Sequence, residues 1–366
     1  MFQDTKGGRG LVTRRKAAPG ADYIRSSGLV GFSEVVAEQG ARAEYFIGKA
    51  GLPLTVLSDL DGVVSWSAVG TLMELTALEL QRPVFGLEWA LKIPPYFPNA
   101  GPYLVLAYKT DTLRDWIAAI AGYTRFHTNA YSLQLVDTAD ADTALLRFQM
   151  RSRVVCSRHQ VEYVLANICR IARSIPPFSH HPVSAVRFQH GRPADVSIHT
   201  NAFRCGIEFE AAHDEIVFDR ALLDQHVGRD IDTLRGGLDR HIRYRIHHMR
   251  AYDQTMATMV AAVIHSVMGS GWCTNDFIAT TLNVSPKKLR RLLAVEGTSF
   301  SDVLDDVRRT MAMKLLRESG MPISAIAGLL EYSSIAPFTL AFKRWSGVSP
   351  RAFRQGAAAL PAVPPG

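Results

Sequence analysis

The sequence has few cysteines and no long apolar run. Its four cysteines are widely spaced, form no CxxC pair and have no histidines at zinc-finger spacing. That pattern argues against a disulfide scaffold or a zinc module and favours a reduced, intracellular protein. The longest mostly apolar stretch, 256–272, is interrupted and too short to span a membrane, and the basic N-terminus has no signal-peptide core. We therefore predict a soluble, cytoplasmic protein with no membrane partner.

Motifs of the common enzyme classes are also absent. The sequence contains no GxSxG, HExxH, Walker A or strand-linked GxGxxG motif. Histidines do group in two regions, one with His180, His181, His190 and His199 and the other with His241, His247 and His248. Adjacent strand histidines point to opposite faces, and arginines around the second group would repel a cation. We predict no enzyme activity, no catalytic residue, no cofactor and no metal site.

The chain has enough apolar material for about two domains. Hydrophobic residues make up 47% of the 366 residues and charged residues 20%. Strand-like alternation over 131–136 and 145–155 predicts a hairpin, and shorter strands are predicted over 185–190 and 206–209. Helical spacing is found over 32–50, 69–80, 112–126 and 161–174. This mixture predicts an α+β domain over residues 21–232, which follows a flexible arm over residues 1–20.

Positive charge is concentrated in the last third of the chain. Residues 235–355 contain 17 lysines and arginines against 9 aspartates and glutamates, whereas residues 1–234 contain 24 against 25. A basic module on a near-neutral body indicates a polyanionic partner, most commonly nucleic acid. We predict a basic connector over residues 233–253, an all-α module over 254–355 and a disordered Ala/Pro-rich tail over 356–366.

Two stretches of the basic module resemble each other, at 277–297 and 323–347. Each has a short apolar helix, a tight turn and a second helix, which is the layout of a helix-turn-helix unit. Ser285 and Pro286 are suited to the N-cap and first position of the second helix. We expect Leu289 and Leu293 of that helix to face inward. Four basic side chains are then free to face DNA phosphates and guanine edges, namely those of Lys287, Lys288, Arg290 and Arg291.

The segment between the two units has helical spacing over residues 301–318. Eighteen helical residues span about 27 Å, and successive major-groove faces lie roughly 34 Å apart. One rigid helix could therefore set two recognition helices into adjacent groove segments. A helical-repeat interaction module is the alternative for this region.

These residues resemble the DNA-binding domain of the AraC/XylS family. The resemblance is carried by 282–300, 308–316, 323–332, 338–345 and 347–354, in that order. It implies a bacterial transcription regulator, most often an activator, that binds double-stranded DNA and contacts RNA polymerase. The candidate DNA contacts are then Ser285, Pro286, Lys287, Lys288, Arg290, Arg291, Arg308, Ser334, Ala336, Pro337, Thr339, Lys343 and Arg344.

The N-terminal part resembles the longer, arabinose-binding type of sensor domain found in one branch of that family. The resembling segments include 51–53, 83–87, 101–104 and 186–209. The resemblance implies a small-molecule effector, but not arabinose in particular. Candidate effector contacts are Tyr96, Arg125, His127 and His190, because ligand pockets need a few polar groups within an apolar lining.

The sequence departs from the family at two positions of the second unit. The family usually has arginine where Leu340 stands and glycine where Glu331 stands. We expect Leu340→Ala to weaken folding more than sequence discrimination. We expect Glu331 to adopt a left-handed backbone that glycine would adopt more cheaply, so that Glu331→Gly stabilises the module.

The sequence as a whole predicts an effector-responsive transcription activator with two helix-turn-helix units. Two alternatives stay open: a DNA-binding regulator whose N-terminal domain forms only a homodimer and binds no ligand, and an enzyme fused to a DNA-binding tail.

Overall fold

The computed structural model describes residues 22–60, 62–94, 110–138, 142–151, 156–174, 183–226, 240–244, 255–318 and 321–356. The predicted arm over residues 1–20, nearly all of the tail and most of the connector lie outside these residues. No helix within the described ranges is both long and apolar enough to cross a membrane.

The N-terminal part is built of helices around two small sheets. The helices are α1 Phe32–Glu38, α2 Ala43–Lys49, α3 Trp66–Glu79, α4 Phe85–Lys92, α5 Leu113–His127, α6 Arg158–Arg173, α7 Ser197–Phe203 and α8 Arg220–Leu223. The longer helices begin at polar caps: Ser65 accepts from Ala68 N–H, and Thr112 accepts from Asp115 N–H. The cap of α6, Ser157, forms a reciprocal capping box with Gln160.

The larger sheet has five strands in the order β3-β4-β7-β5-β6. Its strands are β3 Tyr131–Asp137, β4 Thr143–Met150, β5 Val183–Arg187, β6 Gly206–Glu208 and β7 Asp214–Asp219; a separate ladder pairs β1 Ile24–Arg25 with β2 Val63–Val64. The predicted hairpin is β3–β4, with Leu133 opposite Phe148. All neighbours in the five-stranded sheet are antiparallel except β5 and β6. These elements confirm the predicted α+β class.

The central strand β7 was missed by the sequence analysis, because acidic residues flank its apolar run. In the structure Glu215 is nevertheless buried. Its carboxylate accepts from Arg147 Nε at 3.2 Å and from an Arg187 guanidinium nitrogen at 3.1 Å. A buried charge is tolerated when it is paired, so the neighbouring strands make this register feasible.

The predicted helix over 32–50 is wrong as a single element. The structure has two helices, α1 and α2, separated by a turn in which Gly40 has a φ of 71°. Glycine adopts this left-handed backbone without a Cβ clash, which ends α1 and redirects the chain. The helices α4 and α7 were also not predicted.

The C-terminal module is all-helical and has its own core. Its helices are α9 Met256–Val267, α10 Asn275–Thr281, α11 Pro286–Val295, α12 Phe300–Glu318, α13 Ile323–Leu329, α14 Ile335–Ser346 and α15 Pro350–Arg354. Val307 and Met311 of α12 are buried in this core together with Ile264 of α9 and Phe338 and Phe342 of α14. The N-terminal core is a separate cluster that contains the fully buried Trp66, Trp89 and Trp116. The two cores match the predicted division into an α+β part and an all-α part.

Candidate nucleic-acid interface

The first helix-turn-helix unit consists of α10 and α11. Ser285 caps α11 by accepting from Lys288 N–H at 3.2 Å, and Pro286 occupies the first helical position, as predicted. Asn283, in the turn, has a φ of 56°. Asparagine tolerates this left-handed backbone better than most residues, so the turn is locally encoded.

The outer face of α11 is strongly cationic. Leu289 and Leu293 are fully buried, which confirms the predicted inner face. The four basic side chains predicted for the outer face are all exposed, namely those of Lys287, Lys288, Arg290 and Arg291. The described ion pairs of this module involve other cations, so these four charges are available to phosphates and base edges.

The second unit, α13 and α14, repeats the backbone of the first. Glu331 has a φ of 61°, which matches Asn283 at the same point of the turn. The recognition helices also end alike, because Gly297 and Gly347 both have left-handed φ values of 74° and 76°. Asn283 and Glu331 are 48 positions apart and the two glycines 50, so the repeat seen in the sequence is a repeat of conformation.

Glu331 makes contacts that the sequence analysis missed. Its Oε1 accepts from Gly269 N–H at 3.1 Å and from Gly271 N–H at 2.5 Å. Both glycines have positive φ, in the turn that follows α9. The left-handed backbone expected at Glu331 is therefore present. The expectation that Glu331→Gly stabilises the module did not include the two hydrogen bonds that glycine would remove. Nothing in the local sequence indicated them, since the partners lie about sixty positions earlier.

The outer face of α14 differs chemically from that of α11. Ser334, Ala336, Pro337 and Lys343 are exposed and Thr339 is half-buried. Ser334 is the N-cap residue but its side chain makes no capping bond, in contrast to Ser285. Arg344 forms an ion pair with Asp305 of α12.

Leu340, also on α14, is 71% exposed. An exposed side chain contributes little to the core. The expectation that Leu340 supports folding is therefore wrong in its premise.

Arg308 lies on α12, the helix between the two units. It is half-buried on α12, and its guanidinium carbon stacks 4.9 Å from the centre of the Tyr332 ring. Burial raises the pKa of Tyr332, and the charge of Arg308 opposes that shift. Arg308 thus attaches α12 to the turn of the second unit.

The two candidate effector side chains that the structure describes, those of His127 and His190, are not brought to one place. Tyr96 and the side chain of Arg125 lie outside the described residues. His127 lines a small, mainly apolar cavity of about 50 Å³ between α5, β3 and α6. His190 lines a larger cavity of about 660 Å³. The two histidines therefore belong to different cavities.

The larger cavity adjoins a buried carboxylate. Glu162 of α6 is fully buried, with Oε1 2.8 Å from His199 Nε2 and 3.4 Å from His190 Nε2. Its Oε2 has no hydrogen-bond partner among the described atoms. His159 Nδ1 lies 3.9 Å from Oε2, and burial lowers the pKa of His159 although Glu162 opposes this. His190 therefore connects a buried polar cluster to open space. In the described ranges no group of three histidine, cysteine, aspartate or glutamate side chains is arranged to hold a metal ion.

The two parts of the chain are in contact through α12. Lys314 of α12 forms an ion pair with Asp59 of the N-terminal part. Tyr23 is buried in the C-terminal core, and Val63 of β2 packs against the same core. The helix that joins the two helix-turn-helix units therefore also contacts the N-terminal part.

Comparison with known proteins agrees with this architecture. The model of the arabinose-binding N-terminal domain of AraC transcription regulators matches residues 40–227, more than half of the chain, and a helix-turn-helix domain model matches residues 278–356. The transcriptional regulator VirS of Mycobacterium tuberculosis is 27% identical over 338 residues, covering 90% of this chain and 96% of VirS. GadX of Escherichia coli is 32% identical over 110 residues, covering 30% of this chain and 40% of GadX.

Among solved structures, the transcriptional regulator CdpR of Pseudomonas aeruginosa is 18% identical and covers 86% of this chain and 96% of its own, with a TM-score of 0.37. The two domain models together account for both parts of the fold, the α+β part and the helical module with its cationic recognition helix. The chain therefore belongs to the AraC family and is a DNA-binding helix-turn-helix transcription regulator of that type.

Proposed function

We propose that this protein is an effector-responsive activator whose two helix-turn-helix units enter adjacent major-groove segments of one DNA site. The observation that carries the proposal is the position of α12, a continuous helix of 19 residues between the two units. Such a helix is about 28 Å long, which is close to one turn of B-DNA. Its buried residues pack in the same core as α11 and α14, so it holds the two recognition helices in one rigid module.

The DNA part of the proposal is tested with the full-length protein. Duplexes are selected from a pool with a randomised window of about 30 base pairs, and the best one is footprinted with hydroxyl radicals. We expect two protected segments with centres about 10 base pairs apart. A single protected segment, unchanged by Lys343→Ala in the second unit, would contradict the two-segment arrangement.

Activation and the partners RNA polymerase and a second copy of the chain are proposed from the family resemblance. In transcription from a promoter that carries the selected site, we expect added protein to increase the amount of transcript. A decrease would make the protein a repressor, with the DNA arrangement unaffected. Sedimentation of the full chain at two concentrations tests the homodimer.

We further propose that the 660 Å³ cavity is the effector site and that it takes a small molecule with an acidic group. Its size lies in the range of small-molecule sites. Its lining contains Arg158, His190 and His213 against one carboxylate, Asp214. That carboxylate is already bound by Gln189, through the backbone N–H at 2.9 Å and Nε2 at 2.8 Å. The groups left to an acidic ligand are therefore His213, which is exposed, and Arg158, whose guanidinium also donates to the Pro83 carbonyl oxygen. His190 already faces the Glu162 carboxylate, and Phe148, Met150 and Val161 provide an apolar wall.

The effector is tested by thermal unfolding of the full chain with short aliphatic carboxylic acids and their matched neutral amides. A ligand that binds only the folded state raises the melting temperature by mass action. We expect an increase with some acids and none with the amides, and a smaller increase in His213→Gln, in which an exposed side chain of the cavity changes. A melting temperature that depends only on protein concentration would favour the alternative, an N-terminal domain that dimerises without a ligand.

A further inference from the structure

The two recognition helices present different chemistry to the solvent. The outer face of α11 carries four exposed cations, at positions 287, 288, 290 and 291. The first two turns of α14 carry exposed apolar groups instead. Leu340 is 71% exposed and Ile335 is 47% exposed, and Ala336, one turn before Leu340, is also exposed.

The cations of α14 do not compensate for this difference. Lys343 and Arg344 lie near the C-terminal end of the helix, and Arg344 is paired with Asp305. Leu340 has no donor or acceptor, so it cannot form hydrogen bonds with a base edge. Among the groups of the major groove, the one that an apolar side chain contacts favourably is the C5-methyl group of thymine.

We propose that Leu340 reads a thymine methyl group in the DNA segment that α14 enters. The DNA site is then chemically asymmetric, with guanine contacted by the arginines of α11 and thymine by Leu340. Burying an exposed leucine against a methyl group removes apolar surface of both from water, which favours binding. The inference rests on the proposed two-segment arrangement and adds the base chemistry of its second half.

The experiment removes only the methyl group. In the duplex selected by the full-length protein, each thymine of the segment protected by the second unit is replaced singly by deoxyuridine, which lacks the C5-methyl group. For the wild-type protein we expect at least one position at which the Kd rises about fourfold, the loss that corresponds to one apolar carbon. For Leu340→Ala we expect the same Kd with thymine and deoxyuridine at that position.

Leu78→Ala is the matched control, because Leu78 is 76% exposed on a helix of the N-terminal part. This variant should keep the full sensitivity to deoxyuridine. Both variants should unfold at the wild-type temperature, since neither side chain is buried.

The outcomes distinguish a failure of the thymine contact proposed for Leu340 from a failure of the proposed two-segment arrangement. If Lys343→Ala weakens binding while every deoxyuridine duplex binds the wild type as well as thymine does, α14 contacts DNA but Leu340 does not read a methyl group. Equal deoxyuridine sensitivity in wild type and Leu340→Ala would likewise overturn the proposal for Leu340. If neither Lys343→Ala nor Leu340→Ala changes binding and no second segment is protected, the two-segment arrangement itself fails, and the proposal for Leu340 fails with it.

Discussion

The carboxylate of Glu331 accepts a hydrogen bond from the backbone N–H of Gly271 at 2.5 Å, and this bond joins the turn of the second helix-turn-helix unit to the turn after α9. The same oxygen accepts from Gly269 N–H. A side chain on Gly269 would meet Leu329 and Tyr123, so glycine is required where these elements approach each other. Tyr123 belongs to α5 of the N-terminal part, so Glu331 lies beside the contact between the two parts.

Replacing Glu331 with glycine should destabilise the protein. The variant loses two hydrogen bonds to a carboxylate, and each such bond contributes up to about 3 kcal/mol to stability. Glycine also relieves about 1 kcal/mol of left-handed backbone strain, which offsets part of this loss. Because the site is partly exposed, we expect a net loss of about 1–2 kcal/mol in the free energy of unfolding. Chemical denaturation of the full chain measures it.

Glu331→Gln is the matched control for the same site. Glutamine keeps the length and one acceptor oxygen but not the charge, so its loss should be smaller than that of glycine. A glycine variant as stable as the wild type, or more stable, would show that the two bonds contribute nothing to folding.

The two serines at the starts of the recognition helices should behave differently. Ser285 caps α11 with a side-chain bond and Ser334 makes no such bond at α14. We expect Ser285→Ala to lower the free energy of unfolding by about 1 kcal/mol and Ser334→Ala to change it by less than about 0.5 kcal/mol. Equal effects in thermal unfolding would mean that the capping bond does not determine the stability of α11.

Arg290 should contribute to sequence discrimination. It is exposed on α11, and an arginine that binds guanine O6 and N7 contributes about 1–3 kcal/mol. We expect Arg290→Ala to weaken binding to the selected duplex by that amount and binding to random duplex much less. Arg309→Ala is the control, because Arg309 of α12 is paired with Asp306. An equal loss on both duplexes would make Arg290 a phosphate contact.

The N-terminal part should lose stability as the pH falls, because of His127. Burial, reinforced by the charge of Arg25, lowers the pKa of His127 from 6.5 to about 3. The unfolded chain therefore binds a proton on this group below pH 6.5 while the folded chain does not, and stability decreases as the pH falls from 6.5 towards 3. This group alone should cost about 2 kcal/mol between pH 7 and pH 5.

The contribution of His127 is isolated by comparing how steeply the free energy of unfolding depends on pH in the wild type and in His127→Gln. In His127→Gln the free energy of unfolding should depend less steeply on pH between 7 and 5, whatever its absolute value. Parallel curves for variant and wild type would show that His127 is not held neutral in the folded protein.

Much of the DNA-facing module was predictable from local sequence. Ser285, Pro286 and Asn283 form a start signal and a turn within four residues, and the leucines of α11 keep helical spacing. Such features depend on neighbours along the chain, so they can be recognised without the fold. The same holds for the β3–β4 hairpin, whose strands alternate and are separated by only five residues of the chain.

Residues whose roles depend on distant partners were not predictable in the same way. The contact of Arg308 with the ring of Tyr332 gave no signal, because the two residues are 24 positions apart. Leu340 resembles a core residue by its type, yet it is exposed. Glu162 gave no signal, because two of the three histidines around it, His190 and His199, come 28 and 37 positions later in the chain.

The sequence by itself determined the α+β and all-α division, the two helix-turn-helix units and the cationic face of α11, because periodicity, caps and charge are local properties of the chain. Only the tertiary structure decided which charges are neutralised, as with Arg344 and Asp305, and which side chains remain exposed. It also decided that the Glu331 carboxylate accepts hydrogen bonds from backbone groups about sixty positions earlier in the chain. Pairing and burial depend on which segments meet in space, and the chain specifies that only through the packing of the whole core.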